Sequence, residues 1–347
     1  MPERVRTLPG ARLDSNSGSV GMKPAGIMLL IFALTSVAAG ASARDLRVGH
    51  GGDATYRTVQ AAIDALPDGG GGTILIGPGT YREKLHVTGN GVHLRGLGAR
   101  PQDVVLVYGD SALAAGGTFR SATLTASGDD FRLQHLTVQN DYALDAAAPP
   151  SQAVALAITG DRDIVDDVRL LGAQDTLYAN KGPGGRMARQ YFTRCYVEGH
   201  VDFIFGNAKA WFDRCELHGI AHPSVMFTAQ SKASPDEDSG YVFGHCVVTA
   251  DPAATNIALG RPWRDYATVV FLDTRMEASI MPEGWREWTP GKTSRLGTAY
   301  YAEYRSTGPG ASPTTREPLS HQLTDAEVRK WSLAAFFKGD IKWLQRR

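Results

Sequence analysis

The sequence predicts an all-β chain, a right-handed parallel β-helix built from short stacked strands, with a short capping helix near the N-terminus and a helical segment at the C-terminus. Three observations lead there. A six-residue pattern of the form apolar-x-x-(small or apolar)-x-apolar recurs along the chain. Glycine (39) and proline (18) are spread through it, which suits many turns between short strands. Between about residues 80 and 325 no long stretch carries helical periodicity.

The recurring pattern can be followed six times: Leu133/Leu136/Val138, Val165/Val168/Leu170, Phe192/Cys195/Val197, Phe212/Cys215/Leu217, Phe243/Cys246/Val248 and Phe271/Thr274/Met276. Its first positions are separated by 32, 27, 20, 31 and 28 residues. Repeats of this length indicate stacked units in which each rung lends its apolar face to the next, with variable loops free to shape a groove. A β-sandwich with chance similarity is the competing architecture.

At the N-terminus, Lys23 precedes an apolar run from Ile27 to Ala38 and the small residues Ala41-Ser42-Ala43. This reads as a secretory leader over residues 1–43, cleaved after Ala43, with Met22 as a candidate true start. The expected protein is therefore secreted or periplasmic, with a single domain over residues 44–347. Thirty-six basic and 36 acidic residues balance, and removal of the leader leaves 32 and 34, a net charge near −2. That balance gives no footprint for nucleic acid. A monomer without membrane attachment in its mature form is expected.

Tyr56 to Pro67 places Val59, Ala62, Ile63 and Leu66 at helical spacing, and Asp325 to Phe337 reads as the C-terminal helix. Gly69 to Gly72 lacks the lysine and hydroxyl residue of a phosphate loop. Three cysteines occur, in a compartment that permits disulfides. Cys195 and Cys215 hold the same position in neighbouring rungs, so a bridge between them is feasible, and a buried thiol ladder including Cys246 is the alternative.

The chemistry gathers around Val201-Asp202-Phe203-Ile204-Phe205-Gly206, a strand-like apolar run containing one carboxylate. A charged residue there is paired, functional, or turned outward by strand alternation. Asp175, in Gln174-Asp175-Thr176-Leu177-Tyr178, sits one rung earlier; two neighbouring carboxylates push their pKa values apart and supply a nucleophile or base beside an acid. Gln152 and Gln174 offer neutral donors for an oxyanion. Arg261 and Trp263, in Leu259-Gly260-Arg261-Pro262-Trp263, supply a bidentate partner for Asp202 and a ring for a sugar. In an ideal strand Phe203 and Phe205 share a face, so one of them reaching a groove requires a bend after Asp202.

These motifs, in this order and with Gly79-Thr80-Tyr81-Arg82-Glu83, Gly284-Trp285 with Trp288, Glu303-Tyr304 and Gly308-Pro309-Gly310, resemble the pectin methylesterases (pectinesterases) over residues 44 to 345. The resemblance implies a right-handed parallel β-helix acting on methyl-esterified homogalacturonan. It implies Asp202 as nucleophile, Asp175 as general acid and then base, Gln152 and Gln174 at the oxyanion, Arg261 orienting Asp202, and Trp263, Phe205, Tyr178 and Thr118 binding substrate. It implies no metal and no other cofactor. It also points to the bacterial type, with Cys195 paired to Cys215. The glycine-rich basic loop Asn180–Arg189 is longer than the family commonly shows, and reads either as a solvated insertion or as a contact for free substrate carboxylates. Rival readings are a family member acting on another ester or thioester, a non-catalytic polysaccharide-binding β-helix, and a calcium-dependent polyuronate lyase.

Overall fold

A computed structural model describes residues 45–67, 70–142, 147–289, 291 and 295–345. The expected leader over residues 1–43, its cleavage point after Ala43 and the candidate start at Met22 lie outside the described residues. The strands run parallel and form a 17-stranded and a seven-stranded sheet, wound as the rungs of a parallel β-helix.

The sequence repeat is the rung. Leu133, Val165, Phe192, Phe212, Phe243 and Phe271 stand in register on successive strands, and the four phenylalanines stack with ring centroids 4.5, 4.5 and 4.7 Å apart. Val138, Leu170, Val197, Leu217, Val248 and Met276 form a second buried row. The interval of three residues and then two has a backbone cause. Strict alternation would turn the middle residue of each pattern outward. The residue before it adopts a left-handed conformation instead (His135, Asp167, Arg194, Arg214, His245 and Asp273, φ 47–56°), which rotates the middle side chain back into the core. Left-handed backbone costs a non-glycine residue roughly 1–2 kcal/mol. Hydrogen bonds to the next rung offset this: the amides of Arg194, Arg214, His245 and Asp273 donate to the carbonyls of Asp213, Gly244, Leu272 and Tyr304 at 2.8–3.0 Å.

The capping helix is Val59–Asp64, shorter than the apolar spacing suggested. Thr58 accepts from the Ala61 amide, and the Glu83 carboxylate accepts from the amides of Val59 and Gln60 at 2.8 and 3.0 Å. The expected C-terminal helix is broken into a turn, Val328–Trp331, and a short helix, Leu333–Phe336. Ser332 is extended between them because it caps the second piece, accepting from the Ala335 amide. The segment lays Phe336, Phe337 and Trp343 over Trp211, Val242, Val270 and Tyr304 on the outer face of the longer sheet.

The expected Cys195–Cys215 bridge is not present. Cys195, Cys215 and Cys246 are buried free thiols, one per rung, with each sulfur directed at carbonyl oxygens such as those of Val165, Phe192 and Phe212. The arrangement is the buried thiol ladder that was the alternative to the bridge.

One buried carboxyl bears on stability. Asp163 is fully buried and stands opposite Gln190 on the next rung; Asp163 Oδ2 and Gln190 Oε1 are both buried without a partner. Burial, reinforced by Asp129, Asp161 and Asp130, pushes the Asp163 carboxyl well above the usual range, although its Oδ1 accepts from the Phe131 amide at 2.9 Å. A protonated carboxyl spares this site a buried charge. The unfolded chain ionises near ~3.9 while the folded one keeps its proton, so stability is fully present below the unfolded pKa and is lost as pH rises toward the folded pKa. Asp163→Asn, which is neutral at every pH, is expected to raise the melting temperature at pH 7–8 and to match the parent in acid. A lower melting temperature at pH 8 would mean that the carboxyl is ionised in the fold.

Candidate active site

The paired strands Leu177–Ala179 and Ile204–Gly206 set Leu177 against Ile204 and Tyr178 against Phe205. Asp175 and Asp202 lie two residues before them, at equivalent points of neighbouring rungs, and the Asp175 amide donates to the Val201 carbonyl at 3.1 Å. Both aspartates are left-handed, with φ of 64° and 54°. The bend required of Phe203 and Phe205 is thus at Asp202 itself. Phe203 and the adjacent Ile204 both enter the core, which resets the alternation, and Phe205 turns to the outer surface. Two glycines allow the close approach. A Cβ on Gly206 (φ 118°) would lie 2.3 Å from the Ala179 carbonyl oxygen, and one on Gly199 would lie 2.4 Å from Phe203 Cβ.

Arg261 comes from two rungs beyond Asp202, past the strand Val225–Gln230. Its Nε donates to Asp202 Oδ1 at 2.9 Å and its Nη2 to Oδ2 at 2.7 Å, a bidentate grip. Trp288 lies against the guanidinium, which is 4.3 Å from its ring centroid. Among the described residues Asp175 has no ion pair of its own. Burial raises its pKa far above the carboxylate range, the Asp202 charge raises it further, and Arg261 only partly opposes this. Burial also raises Asp202, but the Arg261 fork pulls it back. Asp202 therefore ionises first, and Asp175 holds a proton beside it.

Both aspartates open into a pocket of about 210 Å³ whose lining includes Gln152, Gln174, Thr118 and Trp263. The side-chain amides of Gln152 and Gln174 make no hydrogen bond among the described residues and remain available as donors. Their backbones are fixed: the Ala153 amide donates to the Gln174 carbonyl at 3.1 Å. Asn140 Nδ2 donates to the carbonyls of Asp110, Ser121 and Val154, which ties the segment carrying Gln152 to its neighbours. Arg295 Nη1 donates to the Trp263 carbonyl at 2.7 Å and holds that ring's backbone.

Tyr178 lies beneath the pocket lining, its ring 4.9 Å from Phe205 and 4.5 Å from Phe119. Phe205 is in turn 6.0 Å from Trp263. The expected site residues are thus brought together on one face of the seven-stranded sheet. Phe119 and the contact of Trp288 with Arg261 were not anticipated. Phe119 stands half exposed in the turn Thr118–Arg120, where no periodic pattern marks it.

The reading of the basic loop is decided by geometry. The cations of the Asn180–Arg189 loop are paired within the protein: Lys181 with Glu237 at 2.8 Å, Arg186 with Asp129 at 2.6 Å and Arg189 with Asp161 at 2.6 Å. This favours an anchored insertion over a substrate contact. His200 stacks on His222 at 4.2 Å, and its Nδ1 accepts from the Val201 amide at 2.7 Å. Burial, with the nearby His222, pulls its pKa down to about 4, so it is neutral at physiological pH.

The pectinesterase family model matches residues 45–340. Pectinesterase 31 of Arabidopsis thaliana is 36% identical over 318 residues, covering 88% of this chain and 96% of that protein. Among solved structures, the pectin methylesterase from carrot aligns with a TM-score of 0.77 at 29% identity, over 87% of this chain and 96% of its own. A pectin methylesterase in complex with a hexasaccharide aligns with a TM-score of 0.70 at 29% identity, over 86% and 98%. The expected bacterial type gains no support: Pectinesterase 31 and Pectinesterase QRT1, to which the chain is 36% and 34% identical, are both from Arabidopsis thaliana.

Proposed function

Because the chain belongs to the pectinesterase family and is a carboxylic ester hydrolase that removes methyl esters from pectin, we propose that it does so through an acyl-enzyme on Asp202, with Asp175 carrying the proton. The observation that carries this reading is the asymmetry of the pair: one aspartate gripped by Arg261, its in-register neighbour left to hold a proton. Each Asp202 oxygen accepts one bond from Arg261 and keeps a lone pair free.

Asp202 attacks the carbonyl carbon of the C6 methyl ester. The oxygen that gains charge is received by the Gln152 and Gln174 amides, which already face the pocket without partners of their own. As the tetrahedral species collapses, Asp175 gives its proton to the departing methanol. This leaves an anhydride between Asp202 and the uronate. Asp175, now ionised, takes a proton from water, which attacks the uronate carbonyl, releases the free acid and restores both aspartates. Ester and water become acid and methanol, with no net proton left on the enzyme. Trp263, Phe205, Phe119 and Thr118 form the wall on which the sugar rests, with Tyr178 backing Phe205 and Phe119.

Methanol release from highly methylated pectin, run beside an aryl ester and a thioester, tests the reading. Turnover of pectin should exceed that of both comparators, and a preference for the thioester would overturn it. Within the same assay Gln152→Ala is expected to lower kcat by about 10²–10³-fold with little change in KM, because the amide acts on charge present only in the transition state. An equal loss confined to KM would assign Gln152 to ground-state binding.

A further inference from the structure

Residues 200–203, which deliver Asp202 to the pocket, lie between the strands Tyr196–Gly199 and Ile204–Gly206 and are tied to the rungs on either side. The His200 amide donates to the Ala173 carbonyl at 2.9 Å, on the rung of Asp175. The His200 carbonyl accepts from the Met226 amide at 2.7 Å, on the next rung. The Val201 carbonyl accepts from the Asp175 amide at 3.1 Å. The Val201 amide takes its partner from a side chain instead, the Nδ1 of His200, at 2.7 Å. Val201 is therefore a shared support: it precedes the left-handed Asp202 in the chain and receives Asp175 across the rungs.

Accepting at Nδ1 requires a neutral imidazole with its proton on Nε2, and the ring is neutral at physiological pH. The ring must also be held in one orientation. His222, in the equivalent turn of the next rung, does this: the two rings stack with centroids 4.2 Å apart and planes 22° apart, and His222 Nδ1 lies 2.7 Å from the Ser224 carbonyl oxygen. Neither histidine is in the lining of the catalytic pocket, so an effect of either on turnover passes through the backbone.

Taking Asp175 and Asp202 as the reacting pair, we propose that His200 is a positioning residue: by accepting the Val201 amide, its Nδ1 fixes the peptide that sets the two carboxylates against each other. An unmet amide in so short a turn would let Val201 rotate, and both aspartates would move with it.

Two variants separate the acceptor from the ring. His200→Phe keeps a ring to stack on His222 and lacks Nδ1, whereas His200→Asn gives up the stack and sets an amide oxygen where Nδ1 stands. On methylated pectin, His200→Phe is expected to lower kcat by about 10–100-fold at nearly unchanged KM, while His200→Asn stays within about threefold of the parent. The Val201 amide should exchange with solvent deuterium faster in His200→Phe than in the parent or in His200→Asn. If His200→Phe fails to fold, His200→Leu carries the same expectation. Parent activity in the folded variant lacking Nδ1, or a loss confined to KM, would overturn the proposal. An equal fall in His200→Asn would also overturn it, by assigning the effect to the stack. Failure of the parent to release methanol from pectin, or full activity in Asp202→Asn, would instead overturn the catalytic reading, and both are measured without these variants.

Discussion

Asp202→Asn is expected to reduce methanol release from methylated pectin by at least about 10⁴-fold, because the amide keeps the shape of the side chain and removes the nucleophile. The loss should fall on kcat, since the aromatic wall and the two glutamines still hold the sugar. Arg261 would be left without its counter-charge in a partly buried site, so a modest fall in melting temperature should accompany the kinetic loss. A variant retaining a tenth of the parent activity would exclude Asp202 as the attacking group.

Asp175→Asn is the second large effect, expected at about 10²–10⁴-fold in kcat because proton transfer to methanol and from water is lost together. Its pH behaviour separates it from a structural lesion. Activity in the wild type needs Asp202 ionised and Asp175 protonated, so it falls in acid as Asp202 gains a proton and falls in alkali as Asp175 loses one. The residual activity of the variant should lose the alkaline limb. Stability should move the opposite way. The folded pKa of Asp175 is raised, so its contribution is fully present below the unfolded value and is lost as pH rises through the folded one. Replacing it by the neutral amide is therefore expected to raise the melting temperature at neutral pH while activity collapses. A variant both less stable and unaltered in pH profile would point to a packing role only.

Much of this was legible in the chain because a solenoid writes its core as a repeat. Phe192, Phe212, Phe243 and Phe271 announced a stack at their spacing, and the stack is there. The left-handed residue that makes the spacing three and then two was not legible, because aspartate, arginine and histidine rather than glycine occupy it. The same device hid at Asp175 and Asp202, where a bend was required by Phe203 and Phe205 but its location was not marked. The cysteines show the opposite error. The stacking of the cysteines was legible, but the sequence left bridge and thiol ladder open, and the structure has the ladder. Phe119 and the Trp288 contact came from loops distant in sequence, which converge only when the rungs wind. The basic loop looked available because its partners, Asp129, Asp161 and Glu237, lie on other turns.

The acyl-enzyme is the centre of the account, and rapid acid quench of the wild type with a short methylated oligogalacturonide, followed by mass spectrometry of its peptides, tests it most directly. Before steady state, the peptide carrying Asp202 should gain the mass of the substrate less methanol, and Asp202→Asn should gain none. An adduct on the Asp175 peptide, or a full turnover of methanol with no mass gain on either aspartate at any quench time, would contradict it.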